Sequence, residues 1–424
     1  MSLRALLSGA CLMALAPLAA AESVSLQQAL EAALQYDPSL DQASAGMERS
    51  EAGLDVARAK TGPTAGLQAQ VGALETDFTT DRISQVPRQI GLQAEWPVFT
   101  SGANAAAIDA ARAQREAAAA QLLSAREQTV LNTFDAYARA WLADQELAVA
   151  RQQVETFRLR LQQTEAQFNQ GLVTRTDIAL TQSRLASAEA QQEGYRAALA
   201  AAEARLARLT GLDKPSPAHP VALPGEMPTD FQQSLAHVLE TNPDLAAARA
   251  SEASADKRVQ EARSRFGPKV SLKARATTGE DIYFFFEDPI SDVGAFVSVE
   301  VPLYTSGLKS ASAREARAGR SAATAGVRVA EVQLKEAVSS LWGDIEARRL
   351  ALKAATRAEA AASLAAEGAY KEYDAGARTL VDALDAENAY RDAQIARLRA
   401  GVELQLASAR LRALSSDLEL SLMP

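Results

Sequence analysis

The sequence predicts a mainly α-helical chain with a smaller β portion, built from two copies of one helix–β-hairpin–long helix unit. Three observations carry this. The 424 residues are 48% hydrophobic but only 5% aromatic, and much of the hydrophobic fraction is alanine, the best helix former and a poor source of buried area. An ungapped internal repeat lies at an offset of 205 residues. Within each copy the apolar period switches from helical to two and back to helical.

The repeat is read residue against residue. Tyr36-Asp37-Pro38-Ser39-Leu40 falls on Thr241-Asn242-Pro243-Asp244-Leu245, and Gly62-Pro63 on Gly267-Pro268. Trp96-Pro97-Val98-Phe99-Thr100-Ser101-Gly102 falls on Val301-Pro302-Leu303-Tyr304-Thr305-Ser306-Gly307. Phe168, Gly171 and Asp177 fall on Tyr373, Gly376 and Asp382.

Residues 1–21 read as an export signal. Arg4 precedes the apolar run 5–18, and Ala19-Ala20-Ala21 is a small-residue cleavage site. Ser8 stands where a lipobox has Leu, which argues against lipid on Cys11, and cleavage takes the net charge from −9 to −10. The first repeat covers 22–212. Residues 25–35 and 39–60 predict helices interrupted at Asp37-Pro38. Alternation at Leu67, Ala69, Val71 and at Ile90, Leu92, Ala94, Trp96 predicts strands over 64–78 and 88–99, with a loop at 79–88. Long helices follow over 103–169 and 174–210, the first about 100 Å long at 1.5 Å per residue. Val130, Phe134, Tyr137 and Trp141 mark a coiled-coil seam, repeated by Leu334, Val338, Leu341 and Ile345.

The segment 213–230 carries five prolines and predicts an extended linker. The second repeat, 231–416, predicts strands over 269–279 and 292–304 and long helices over 308–375 and 379–415, with 417–424 as a tail. Its loop, 280–292, holds Tyr283-Phe284-Phe285-Phe286, which fit an aromatic girdle or a packed loop tip.

The composition excludes several functions. Two histidines and no mature cysteine leave few metal ligands and no thiol nucleophile. His219 and His237 read as solvated residues. The negative charge argues against nucleic acid, and no later stretch is apolar enough for a transmembrane helix. Four strands are too few to close a barrel, yet their apolar faces require burial. They fit a small sheet packed on helices, or a barrel of roughly 12 strands shared by three subunits with its apolar face on lipid. The export signal and alanine-rich helices favour the barrel, whose lumen then holds Gln68, Gln70, Gln93, Glu95, Lys273, Arg275 and Glu300.

Asp382 and Asp385 share one helix face. Threefold symmetry would gather six carboxylates, each like pair repelling by roughly 3 kcal/mol at about 6 Å and an effective dielectric near 20. That raises carboxylate pKa values and attracts cations. A solvated helix start, where Asp suits the dipole, accounts for the two residues equally well.

The segment Gly376-Ala377-Arg378-Thr379-Leu380-Val381-Asp382-Ala383-Leu384-Asp385-Ala386 resembles the G-T-R-T-[IL]-V-D-[VA]-L-D-A segment of the TolC family of outer-membrane efflux proteins. Phe168-Asn169-Gln170-Gly171-Leu172-Val173 with Thr176-Asp177 resembles its first-repeat counterpart, and the likeness spans 24–416. The resemblance implies a homotrimer. Its twelve-stranded transmembrane β-barrel is continued by a twelve-helix periplasmic α-barrel, with an equatorial belt that the short tail makes thin here. The trimer is the passive exit duct of a tripartite efflux pump or type I secretion system, in the outer membrane of a Gram-negative bacterium. It implies a periplasmic adaptor and an inner-membrane RND or ABC pump as partners, no cofactor and no covalent chemistry. It places Asp382 and Asp385 at a periplasmic iris, with a blocking divalent cation between them. It makes Thr176, Asp177, Tyr373 and Arg378 a latch, with Asp177 bonded to Tyr373 and Thr176 to Arg378. It makes Gly171, Leu172, Val173, Gly376 and Ala377 the adaptor-docking tips. The segment 376–386 is closer to channels serving protein secretion and multidrug pumps than to metal-efflux relatives. A soluble periplasmic coiled-coil adaptor or scaffold is the competing reading; it explains the helices but not two amphipathic hairpins. An enzyme using the paired aspartates lacks a nucleophile, a metal cluster or a phosphate loop.

Overall fold

The computed structural model describes residues 22–77, 82–218, 222–223, 230–281 and 288–423. The export signal with Cys11, His219 and the run Tyr283 to Phe286 lie outside the described residues. Two units are formed.

The first unit comprises Met1–Asp37, Asn132–Leu223 and Ala347–Leu406. It opens with β1 (Glu22–Val24) and α1 (Leu26–Tyr36), the latter started by a Ser25–Gln28 capping box. It holds the C-terminal part of α3 (Ala103–Asn169), all of α4 (Arg175–Thr210) and β6 (Pro215–Pro217), which pairs parallel with β1. The C-terminal part of α7 (Leu308–Asp374) and most of α8 (Leu380–Leu414) complete it. Tyr137 is buried among Val24, Ala29, Ala140 and Leu206 and donates its hydroxyl to the Val24 carbonyl at 3.1 Å. A large ring between alanines lets helices approach closely.

The second unit comprises Pro38–Leu131, Pro224–Glu346 and Ala407–Pro424. It contains α2 (Pro38–Ala59), α5 (Phe231–Thr241) and α6 (Pro243–Ser264). It also contains β2 (Thr64–Val71), β3 (Leu74–Asp77), β4 (Arg82–Gln85), β5 (Arg88–Phe99), β7 (Lys269–Glu280) and β8 (Ile290–Glu300). One antiparallel sheet has the order β2-β5-β7-β8, so the central pairing joins the two repeats.

Two sequence expectations change here. The strand expected over 64–78 stops at Val71, and residues 82–85 of the expected loop form β4, paired with β3 in a separate ribbon. Gly72 donates to the Pro87 carbonyl at 2.9 Å. Pro87 has no N–H to return, so the ladder breaks there. The strand expected over 292–304 is β8, ending at Glu300 opposite Lys269, the first residue of β7. Trp96 and Phe99 at the helix-side end of β5 and Tyr304 in the segment after β8 are 45%, 51% and 86% exposed. The sequence reading overlooked these exposed aromatic residues. The expected tail contains α9 (Leu418–Leu422), with Arg126 gripping both Glu419 carboxylate oxygens at 2.8 and 2.7 Å. His237 contacts Asp417 at 2.8 Å rather than standing alone in solvent.

Candidate functional site

The sequence-predicted residues fall on two surfaces, one in each unit. In the second unit, register places all seven lumen candidates on one face of the sheet. Gln68 lies opposite Gly91 and Gln70 opposite Gln89. Gln93 lies opposite Arg275, Glu95 opposite Lys273, and Lys269 opposite Glu300. The charges are matched across strands: Lys273 reaches Glu95 at 3.6 Å and Arg275 reaches Asp292 at 3.1 Å. Phe296 interrupts this polar face, with the Arg275 guanidinium 5.5 Å from its ring centre. The opposite face is apolar and exposed: Leu67, Leu92, Val293 and Val297 are 67%, 59%, 86% and 71% exposed. At about 25 cal/mol per Å² such a face is costly in water and costs nothing against hydrocarbon.

In the first unit, the two helical hairpins turn by the same device. Gly171 and Gly376 have φ of +74° and +73°. Gly171 donates to Phe168 O and Leu172 to Gln167 O, while Gly376 donates to Tyr373 O and Ala377 to Glu372 O. These paired bonds are Schellman closures, which need a left-handed residue and so favour glycine. Leu172 is 70% exposed at its tip.

Each following helix starts on a Thr–Asp cap. Asp177 Oδ2 accepts the Thr174 N–H at 2.7 Å and the Thr174 hydroxyl at 2.8 Å. Asp382, its repeat partner, accepts the Thr379 hydroxyl at 2.7 Å. The sequence signal for these caps was present as Thr-x-x-Asp in both repeats; the sequence reading weighed a helix-start role for Asp382 beside the gate, gave Asp177 to the latch, and named neither cap.

The latch pairs therefore differ from expectation within the chain. Tyr373 donates to Gln167 Oε1 at 3.1 Å rather than to Asp177, and Arg378 pairs with Glu372 at 2.8 Å rather than with Thr176. The capping bonds occupy Asp177, though its charge still reaches Tyr373: burial, then Asp177 and Asp374, raise the Tyr373 pKa, against Arg160. Asp382 and Asp385 are both exposed and line one concavity with Gly376, Ala377, Arg378 and Thr379.

Further ties between α3 or α4 and α7 or α8 were not visible in the sequence. The Arg160 guanidinium lies 3.6 Å from the Tyr370 ring centre. Burial first, then Glu387, pushes the Tyr370 hydroxyl up to about 12, against Arg160. Gln153 bonds Asn388 at 2.8 Å, Arg391 reaches Gln153 and Gln191, and Arg184 meets Asp385 at 2.6 Å. Val154, Phe157, Ala188, Leu380 and Leu384 form the apolar cluster beneath.

A chain whose two repeats each supply half of a two-faced sheet and one long helical hairpin can be compared with known proteins on these terms. The outer membrane efflux protein profile matches residues 29–212 and 235–416, one match per repeat. This chain belongs to the outer membrane efflux protein family. Outer membrane efflux protein BepC of Brucella suis is 26% identical over 389 residues, spanning 92% of this chain and 84% of that protein. Protein CyaE of Bordetella pertussis is 26% identical over 406 residues, spanning 94% and 85%. The solved outer-membrane channel OprN superposes with a TM-score of 0.78 at 24% identity, covering 92% of this chain and 89% of that one.

The efflux-family fold is that of TolC-like channels: mainly helical, with a β-barrel portion to which each of three chains gives four strands, continued by an α-barrel of their long helices. The protein is an outer-membrane exit duct of a Gram-negative cell, reaching into the periplasm. Among the described residues no helix is long and apolar enough to cross a membrane. Its relatives are channel and transport proteins. They do not favour the soluble scaffold reading. Channels of this kind work as trimers with an adaptor and an inner-membrane pump.

Proposed function

We propose that the helical tips of three copies form a gated constriction, lined by Asp382 and Asp385, that opens when a partner engages Gly171, Leu172, Val173, Gly376 and Ala377. The single observation that carries this is the placement of both aspartates. They are solvent-facing, one turn apart, in the concavity beside the Gly376 closure, although Leu380, Ala383 and Leu384 on the same helix are buried. Threefold repetition converts that pair into a ring that attracts cations, including a blocking divalent ion. Thr176, Asp177, Tyr373 and Arg378 surround the tips and hold them closed. Each hydrogen bond or charge-assisted link there is worth about 1–3 kcal/mol, which suits a gate opened by docking. Gln68, Gln70, Gln93, Glu95, Lys273, Arg275 and Glu300 line the wet lumen, and the protein performs no catalysis. The partners are a periplasmic adaptor and an inner-membrane RND or ABC pump.

The test is single-channel conductance in planar bilayers. Tyr373→Phe combined with Arg378→Glu frees residue 373 from Gln167 and turns the Arg378–Glu372 ion pair into two facing carboxylates. Conductance is expected to rise; conductance equal to wild type removes the latch.

A further inference from the structure

Asp382 and Asp385 are not electrostatically equivalent. Asp385 Oδ1 lies 2.6 Å from Arg184 Nη2, reached from α4. Among the described residues no Lys or Arg is paired with Asp382, whose carboxylate takes the Thr379 hydroxyl instead. The nearest other guanidinium lining the concavity, Arg378, is already paired with Glu372.

The geometry that brings Arg184 to Asp385 is held from below. Leu180, Leu185 and Ala188 of α4 pack with Leu380 and Leu384 of α8 against Val154 and Phe157 of α3. Leu384 is fully buried and Phe157 is 1% exposed, so the two helix backbones are in fixed register where the ion pair forms. The Arg184 Nε is buried without a hydrogen-bond partner. The contact with Asp385 is therefore made through the terminal Nη2 alone, not through a two-nitrogen fork.

We propose that Arg184 is a built-in counter-ion that sets the cation affinity of the gate. With Asp385 neutralised in each copy, the constriction presents three uncompensated carboxylates, those of Asp382, instead of six. Cation block of this channel is then weak, and a cation that reaches Asp385 must displace Arg184. The proposal rests on the gate reading given above.

The experiment is Mg²⁺ block of the full-length trimer in planar bilayers, titrated from the periplasmic side, with trimer recovery and open conductance as controls. Arg184→Gln exposes three further carboxylates and is expected to lower the half-blocking Mg²⁺ concentration by about tenfold or more. Asp385→Asn leaves Arg184 uncompensated and is expected to raise it. Arg184→Lys keeps wild-type block, and the Arg184→Gln/Asp385→Asn double variant returns to it. The opposite signs of the two single variants are the diagnostic, because an ion pair that only holds helices together shifts block the same way when either partner is lost. If Asp382→Asn relieves block but Arg184→Gln and Asp385→Asn act alike or not at all, the gate stands and the counter-ion is overturned. Block indifferent to Asp382→Asn, Asp385→Asn and Arg184→Gln removes the gate reading, and the counter-ion with it.

Discussion

Glu127 predicts an unusual pH dependence at the C-terminal helix. The side chain is 3% exposed, and its Oε2 has no hydrogen-bond partner. Burial raises its pKa from 4.5 to about 7; the Glu419 N–H opposes this, the Glu419 and Asp417 charges add to it, and Arg126 opposes it. The folded pKa lies above the unfolded one, so the sign runs opposite to that of a salt-bridged acid. The protonated side chain carries no penalty below pH 4.5, and the penalty grows as pH rises to about 7. Above that it levels at about 3 kcal/mol, from 1.36 kcal/mol per pKa unit. Glu127→Gln keeps the shape and abolishes the titration. The measurement is hydrogen exchange of residues 418–422, corrected for intrinsic rates. If release of α9 returns Glu127 to water, the wild-type opening free energy falls by about 2.5 kcal/mol between pH 5 and pH 8, while that of Glu127→Gln stays flat. Equal pH dependence in the two proteins, or a Glu127→Gln helix that loosens more at pH 8, refutes the reasoning.

Two other substitutions test the surfaces. Leu92→Arg puts a charge on the outer face of the sheet at mid-strand, where lipid exposure costs about 2–4 kcal/mol; outer-membrane yield is expected to fall, while Gln68→Arg on the polar face leaves it near wild type. Gly376→Ala forces a side chain to φ of +73° and is expected to destabilise the tip by about 1 kcal/mol, read as faster proteolytic cleavage there than in Ala377→Gly.

Much of the candidate site was legible because its signals are local. The glycine that ends each long helix, the Thr-x-x-Asp that starts the next and the Asp382–Asp385 spacing all act within a few residues of chain. The latch partners were not legible. Asp177 satisfies its own helix start first, since a cap four residues long costs little entropy to form, and Tyr373 turns to Gln167, which lies 206 residues away. The break at Gly72 was missed because alternation continues through it; only the N–H count at Pro87 shows the ladder ending.

By itself the sequence determined the duplication, the two-faced strands, the long alanine-rich helices and the glycine closures. Each of these follows from a period or a backbone requirement that neighbouring residues impose on one another. The tertiary structure alone decided that β5 pairs with β7 across the two repeats. It also decided that Arg184 pairs with Asp385 while Asp382, among the described residues, meets only the Thr379 cap, and that Glu127 is buried beside two other acids. Those outcomes depend on which distant helix or strand a side chain meets. That is set by packing of buried groups such as Leu384 and Phe157, which no local period encodes.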